Sequence, residues 1–177
     1  MGRFRRLISM GLIAGFALLA VGPARAAAPV PLGATVAPDL DGRPIAVSEI
    51  SYWYCHDLDY PRIHCFRSPV DLTRVLTTRG TRPRTDAVGM STALVYVIAY
   101  RDAGYLGPSI AISRDYDDLR TIGWNDVISS FKAVNGLYGH FAVDIYNGGR
   151  TYPFCCNVSA SYVGDAWNDQ FSSVYSW

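Results

Sequence analysis

A six-residue phrase occurs twice in this chain, each time directly after a tryptophan. Asn125-Asp126-Val127-Ile128-Ser129-Ser130 follows Trp124, and Asn168-Asp169-Gln170-Phe171-Ser172-Ser173 follows Trp167. A second phrase runs ahead of each copy: Tyr100, Tyr105 and Gly107 are spaced aromatic, four residues, aromatic, one residue, glycine, and so are Phe141, Tyr146 and Gly148. The aromatic phrases begin 41 residues apart and the Asn-Asp phrases 43 residues apart. Self-similarity at a period of about 40 residues means one supersecondary unit built twice.

The N-terminus follows different rules. Arg3, Arg5 and Arg6 precede an apolar run from Leu7 to Val21, and Ala24-Arg25-Ala26 supplies a small-x-small cleavage pattern, so residues 1–26 read as a signal peptide. The run is short for a bilayer span, which favours cleavage over an uncleaved anchor. The expected destination is secreted or periplasmic, with no membrane association once the leader is removed. The leader holds four of the 16 Lys+Arg and none of the 15 Asp+Glu, so the remainder carries a net charge of −3. A mildly acidic chain with scattered arginines has no footprint for nucleic acid or anionic lipid, but it can hold cations.

About 150 mature residues allow one ordinary domain, or a small domain with an extension. Cys55, Cys65, Cys155 and Cys156 in an exported chain read as two disulfides with three connectivities open. A vicinal Cys155–Cys156 bridge would be strained. Cross-pairing of Cys55 and Cys65 with Cys155 and Cys156 is therefore favoured, with Cys55–Cys65 beside a vicinal or free pair as the alternative. Zinc ligation lacks the Cys-x-x-Cys or Cys/His spacing it needs.

Residues 27–47 are rich in Ala, Pro and Gly and read as an extended arm outside the core. Ile50 to Phe66, dense in aromatics around two cysteines, reads as a stapled hairpin or an added strand pair. Asp71 to Thr77 has helical spacing after the entry signal Ser68-Pro69. Thr78 to Met90 reads as a linker. A domain boundary placed there separates an extension, 27–92, from a domain, 93–177. Within the latter, 93–100, 109–113, 128–134, 140–146, 151–154 and 171–177 are short β-branched and aromatic runs separated by Gly-containing turns. This is the pattern of an all-β sandwich or barrel. Pro108 removes a ladder donor and predicts an edge strand there.

On these phrases residues 93–177 resemble a βγ-crystallin domain, a pair of Greek keys packed as a small β-sandwich. Tyr100/Tyr105/Gly107 and Phe141/Tyr146/Gly148 match that family's hairpin signature, and the resemblance implies that Ser130 and Ser173 pack onto the two hairpins. Both hexapeptides also match its calcium signature. The resemblance implies two Ca2+ sites arranged reciprocally, Asn125 and Asp126 sharing one ion with Ser172, and Asn168 and Asp169 sharing the other with Ser129. A backbone carbonyl near Arg101 or Ala142 would complete each. Carboxylate, carboxamide, hydroxyl and carbonyl oxygens are what a hard cation takes. One Asn-Asp…Ser-Ser copy alone would be ordinary turn chemistry; two, each in phase with a hairpin, make the sharper reading.

The expectation is thus an exported calcium-binding module rather than an enzyme, its protein partner unspecified. The alternative is a secreted proteinase inhibitor or antimicrobial toxin on the same scaffold, independent of calcium, acting through residues 51–68. His56, His64 and His140 carry no metal-binding helix pattern and no nucleophile motif, and read as packed or surface histidines. Trp124 and Trp167, at equivalent repeat positions, read as core residues that aim the ligand loops. Asn157-Val158-Ser159 is a formal glycosylation sequon.

Overall fold

The structure, a computed structural model, describes residues 35–80 and 94–177. The expected leader, the start of the arm and most of the expected linker lie outside the described residues. The strands are β1 (Ala37–Leu40), β2 (Arg43–Pro44), β3 (Tyr54–Asp59) and β4 (Arg62–Phe66), then helix α1 (Pro69–Val75). After the undescribed stretch come β5 (Val97–Asp102), β6 (Leu106–Ile112), β7 (Ser130–Ala133), β8 (Gly139–Ala142), β9 (Thr151–Phe154), β10 (Ser159–Ala160) and β11 (Ser173–Ser176).

Two sheets result. One runs β10-β7-β5-β6-β3-β4-β1-β2 and the other β11-β8-β9. Each repeat folds a hairpin (β5–β6, β8–β9) and adds its last strand beside the first, β7 on β5 and β11 on β8. The remaining strand of each repeat crosses over. β10 of the second repeat pairs with β7 of the first, and Tyr116 of the first repeat bridges Val174 in β11 of the second. Two Greek keys that exchange a strand make the sandwich.

Alternation along the strands explains the layers. Val97 and Ala99 on β5, and Ile110 and Ile112 on β6, enter the core between the sheets, with Trp124, Phe131, Phe141 and Phe171. Phe141 is the hub: its ring lies 4.8 Å from Phe171, 5.2 Å from Phe154 and 5.3 Å from Phe131. The opposite face of the large sheet offers Ile98, Ala111, Tyr54 and Phe66, and it is covered by Leu72 of α1 and Leu76 at the helix C-cap. The helix begins where expected for physical reasons: Ser68 Oγ accepts the Val70 N–H at 3.2 Å, and Pro69 occupies a first-turn position that needs no donor.

Four expectations are corrected. The favoured cross-pairing of cysteines does not form; Cys55 bonds to Cys65, and Cys155 and Cys156 are free. The reason is register, since Cys55 and Cys65 are directly opposite across β3–β4 with Cα atoms 4.0 Å apart, while Cys155 and Cys156 follow β9 in the other sheet. The arm is partly core, because β1 pairs in parallel with β4 and buries Leu40. Pro108 does not mark a sheet edge: β3 lies along β6 in parallel, and its pairing starts at Ser109, one residue past the missing donor. Finally, the strand expected to run from His140 to Tyr146 stops at Ala142, because the chain turns through left-handed conformations at Tyr146, Asn147 and Gly149.

Candidate metal centre

The two Asn-Asp phrases sit where each Greek key returns to its own sheet. Ahead of the first, a short 3-10 helix, Leu119–Ile122, is capped by Asp118, whose carboxylate accepts the Arg120 N–H at 2.9 Å. Gly123 ends it with φ 66°, and a Cβ there would collide with the Val47 carbonyl of the extension. Only glycine suits both demands. Trp124 is then fully buried, which turns Asn125 and Asp126 outward. Trp167 is only partly buried, lying edge-on to Tyr152 at 5.3 Å beneath the Arg150 guanidinium at 4.5 Å.

The acids of the two phrases cross over to one another. Asp126 and Asp169 both take positive φ, 56° and 54°. The Asp126 N–H donates to the Phe171 carbonyl at 3.0 Å, and the Asp169 N–H donates to the Ile128 carbonyl at 3.3 Å. Ser129 Oγ lies 3.5 Å from Asp169 Oδ1, and the Ser172 hydroxyl bonds to the Asp126 carboxylate. The neighbouring carboxamides turn their NH2 groups to the acids, Asn125 Nδ2 to Asp126 Oδ2 at 2.5 Å and Asn168 Nδ2 to Asp169 Oδ2 at 2.8 Å. That leaves Asn125 Oδ1 and Asn168 Oδ1 buried with no hydrogen-bond partner. A cavity of about 220 Å³ is lined by Arg101, Asp102, Asp126, Val127, Ser129 and Asp169. Burial raises the Asp126 pKa, as does the charge of Asp169, against the lowering effect of hydrogen bonds from Asn125 and Ser172.

The acids and the first serines of the two phrases therefore form two crossed sets, Asp126 with Ser172 and Asp169 with Ser129. Arg101 joins the second set, held from the far side by the extension: its Nη1 donates to the Ser51 carbonyl at 3.2 Å and its guanidinium lies 4.6 Å from the Tyr52 ring. The oxygens present fit a hard cation. Each set offers a carboxylate and a hydroxyl, with an unpartnered carboxamide oxygen next to the carboxylate.

The last serines of the phrases anchor the hairpins. Ser130 Oγ donates to the Asp102 carbonyl at 2.6 Å and accepts the Tyr105 N–H at 3.1 Å. Ser173 Oγ donates to the Asp144 carbonyl at 2.7 Å and accepts the Asn147 N–H at 3.2 Å. These bonds fix the equivalence between hairpins, and it differs by one residue from the aromatic phasing. Asp102 corresponds to Asp144 and Tyr105 to Asn147, so Tyr100 corresponds to Ala142 and Gly107 to Gly149. Gly107 and Gly149 both have positive φ, and a Cβ on either would strike the aspartate carboxylate five residues before it; Gly148 is not in that conformation. Tyr100 packs edge-on against Tyr105 at 5.7 Å, whereas Phe141 is in the core and Tyr146 is exposed. A one-residue shift flips a strand's faces, which is why Phe141 points inward and Tyr100 does not. The Ala142 carbonyl is taken by the Ser172 N–H at 2.9 Å, so the counterpart of Arg101 is Val143. Aspartate followed five residues later by glycine, repeated at 102/107 and 144/149, was the sequence signal for the correct phase.

The histidines are held in place by their neighbours. Burial holds His56 down at about pH 4, His64 sits between Asp39 (2.9 Å) and Asp59 (3.4 Å), and His140 Nε2 contacts Asn147 Oδ1 at 2.5 Å. Among the described residues no three His, Cys, Asp or Glu side chains converge as a metal cluster. The segment 51–68, proposed as an inhibitory surface, is largely built into the sheet as β3 and β4.

No family model and no curated protein matches the chain. Among solved structures, a βγ-crystallin domain from Flavobacterium johnsoniae is 28% identical, covering 46% of this chain and 93% of its own, with a TM-score of 0.41. A βγ-crystallin from Ciona intestinalis is 25% identical, covering 46% and 98%, with a TM-score of 0.40. A βγ-crystallin from an archaeon is 27% identical, covering 47% and 98%, also with a TM-score of 0.40. With two folded hairpins, a serine anchoring each and one strand exchanged in each direction, residues 94–177 resemble a βγ-crystallin domain and fold as a Greek-key β-sandwich of that kind.

Proposed function

We propose that this protein is an exported calcium-binding module in which two ions clamp the Greek keys together. The observation that carries the reading is the crossed pairing of Asp126 with Ser172 and Asp169 with Ser129, beside the buried and unpartnered Asn125 and Asn168 carboxamide oxygens. Asp126, Ser172 and Asn125 would hold one ion, and Asp169, Ser129 and Asn168 the other. Each ion would neutralise one acid of a pair that faces like charge and would draw on both repeats at once. Since the unfolded chain cannot assemble such a site, calcium would stabilise the fold, by about 2.7 kcal/mol per site at a concentration one hundred times Kd. Few acids per site set the affinity in the micromolar to millimolar order. The role is that of a rigidified binding or structural module rather than an enzyme.

The test is calcium titration calorimetry on the oxidised chain from residue 27 after exhaustive chelation. Two weak sites are expected, with one lost in Ser129→Ala and the other in Ser172→Ala. The absence of heat at millimolar calcium would reduce the phrases to turn structure and sink the proposal.

A further inference from the structure

With Cys55 bonded to Cys65, the chain keeps two free thiols on adjacent residues, and both belong to one turn. Cys155 follows β9, and its carbonyl accepts the Val158 N–H at 2.8 Å. Cys156 and Asn157 between them take φ of 57° and 64°, the left-handed pair of a tight turn that sends the chain into β10. Asn157 Oδ1 accepts the Gly136 N–H at 2.8 Å, which ties this turn to the one that joins the two repeats. Cys156 is exposed and Cys155 partly so. Around the Cys156 sulfur converge the Cys155 thiol and the Tyr138 hydroxyl, both hydrogen-bonded to it.

Those hydrogen bonds make the two thiols unequal. Donation from Cys155, then from Tyr138, lowers the pKa of Cys156, and the same bond raises that of Cys155. A thiolate is the nucleophile in disulfide exchange, and a protonated neighbour in contact with it is placed to resolve the product. Among the described residues no third metal-ligating side chain joins the pair, so the arrangement suits exchange better than ligation.

We propose that Cys155 and Cys156 form an exchangeable dithiol that reduces low-molecular-weight disulfides of the glutathione class and closes to a vicinal disulfide. In the first step the Cys156 thiolate attacks one sulfur of the disulfide RSSR, forms Cys156–S–S–R and expels RS⁻. In the second, Cys155 loses its proton to solvent or to the departing thiolate, its sulfur attacks Cys156 Sγ, and a second RS⁻ leaves. The protein is oxidised by two electrons and one RSSR becomes two RSH. The closed ring is strained, so it is readily reopened by thiols, while the buried Cys55–Cys65 bond is out of their reach.

The experiment incubates the full chain in a series of reduced and oxidised glutathione buffers, quenches with acid, alkylates and maps peptides by mass. The expected result is joint loss of both alkylatable thiols, a 155–156 peptide lighter by two hydrogens, no retained glutathione, a monomeric chain, and a Cys55–Cys65 link intact throughout. Cys155→Ser is expected to trap one glutathione on Cys156, and faster than Cys156→Ser traps one on Cys155. Persistent glutathione on the wild-type chain, cross-linked dimers, or equal rates in the two variants would each overturn the proposal.

Discussion

At the scale of single residues, Ser130 and Ser173 each hydrogen-bond an N–H and a carbonyl of a folded hairpin. Both serines are fully buried, so removing a hydroxyl takes away a fixed acceptor from one N–H and a fixed donor from one carbonyl. Ser130→Ala and Ser173→Ala are each expected to cost about 1–3 kcal/mol in urea denaturation. A loss below a few tenths would mean that the hairpins hold themselves. Asp57 and His56, adjacent on β3, set a second expectation. Burial pushes Asp57 up to about 6, against the lowering effect of hydrogen bonds from Ser113 and Tyr116, and pushes His56 down to about 4. The Asp57 contribution is greatest below its unfolded value and is lost as pH rises through about 6. The His56 contribution is full above about 6.5 and is lost as pH falls through about 4. Over pH 4 to 6 the two oppose each other at about 3 kcal/mol apiece. Relative to wild type, Asp57→Asn should gain stability as pH rises from 4 to 6.5, and His56→Gln should lose it; parallel pH profiles for all three proteins would refute the pairing. The serines were legible in the sequence because their phrase repeats intact. The glycine phase was not, because Gly148 and Gly149 are adjacent and the aromatic spacing fitted the wrong one.

At the scale of elements, the β3–β4 hairpin is where the extension becomes part of the fold. Its disulfide closes a loop with a sequence separation of 10, worth about 3 kcal/mol on chain-entropy grounds. Replacing Cys55 and Cys65 together by alanine should lower the unfolding free energy by that order in denaturant titration, while an equal loss in Cys155→Ser would point to a general effect of thiol chemistry. The stapled hairpin and the helix after Ser68 could be read from local signals: aromatic density around two cysteines, and a cap followed by proline. The strand β1 could not. Ala37-Pro38-Asp39-Leu40 has no strand propensity to speak of, and its parallel pairing with β4 is a tertiary outcome that no local pattern announces. For the same reason Pro108 misled: a proline beside a ladder is read as an edge unless the strand that arrives starts beyond it.

For the whole molecule, the extension supplies half of an eight-stranded sheet and covers the β6 edge that a two-repeat sandwich would leave open. The buried Asp57 carboxylate ties the two parts again, accepting the Ser113 N–H at 2.8 Å and the Tyr116 hydroxyl at 2.9 Å. A fragment of residues 94–177 therefore presents unpaired β6 backbone and the apolar surface left by β3 and α1. It should self-associate in light scattering and melt lower than the full chain, whereas a monomer with an unchanged melting temperature would make the extension an ornament. The sandwich itself was legible because its motif is local and doubled. The sheet's growth past it was not, because residues more than fifty positions apart make that seam.

The exchanged strands also bear on how divisible the protein is. Tyr116 lies in the first repeat and completes the sheet of the second, while β10 lies in the second and completes the sheet of the first. A cut at the Asn135–Gly136 turn would thus separate two pieces, each carrying a strip of the other's sheet. Neither half is a smaller copy of the whole; the pair is a lock whose two keys are kept in each other's pockets, and only by recombining could they restore one core.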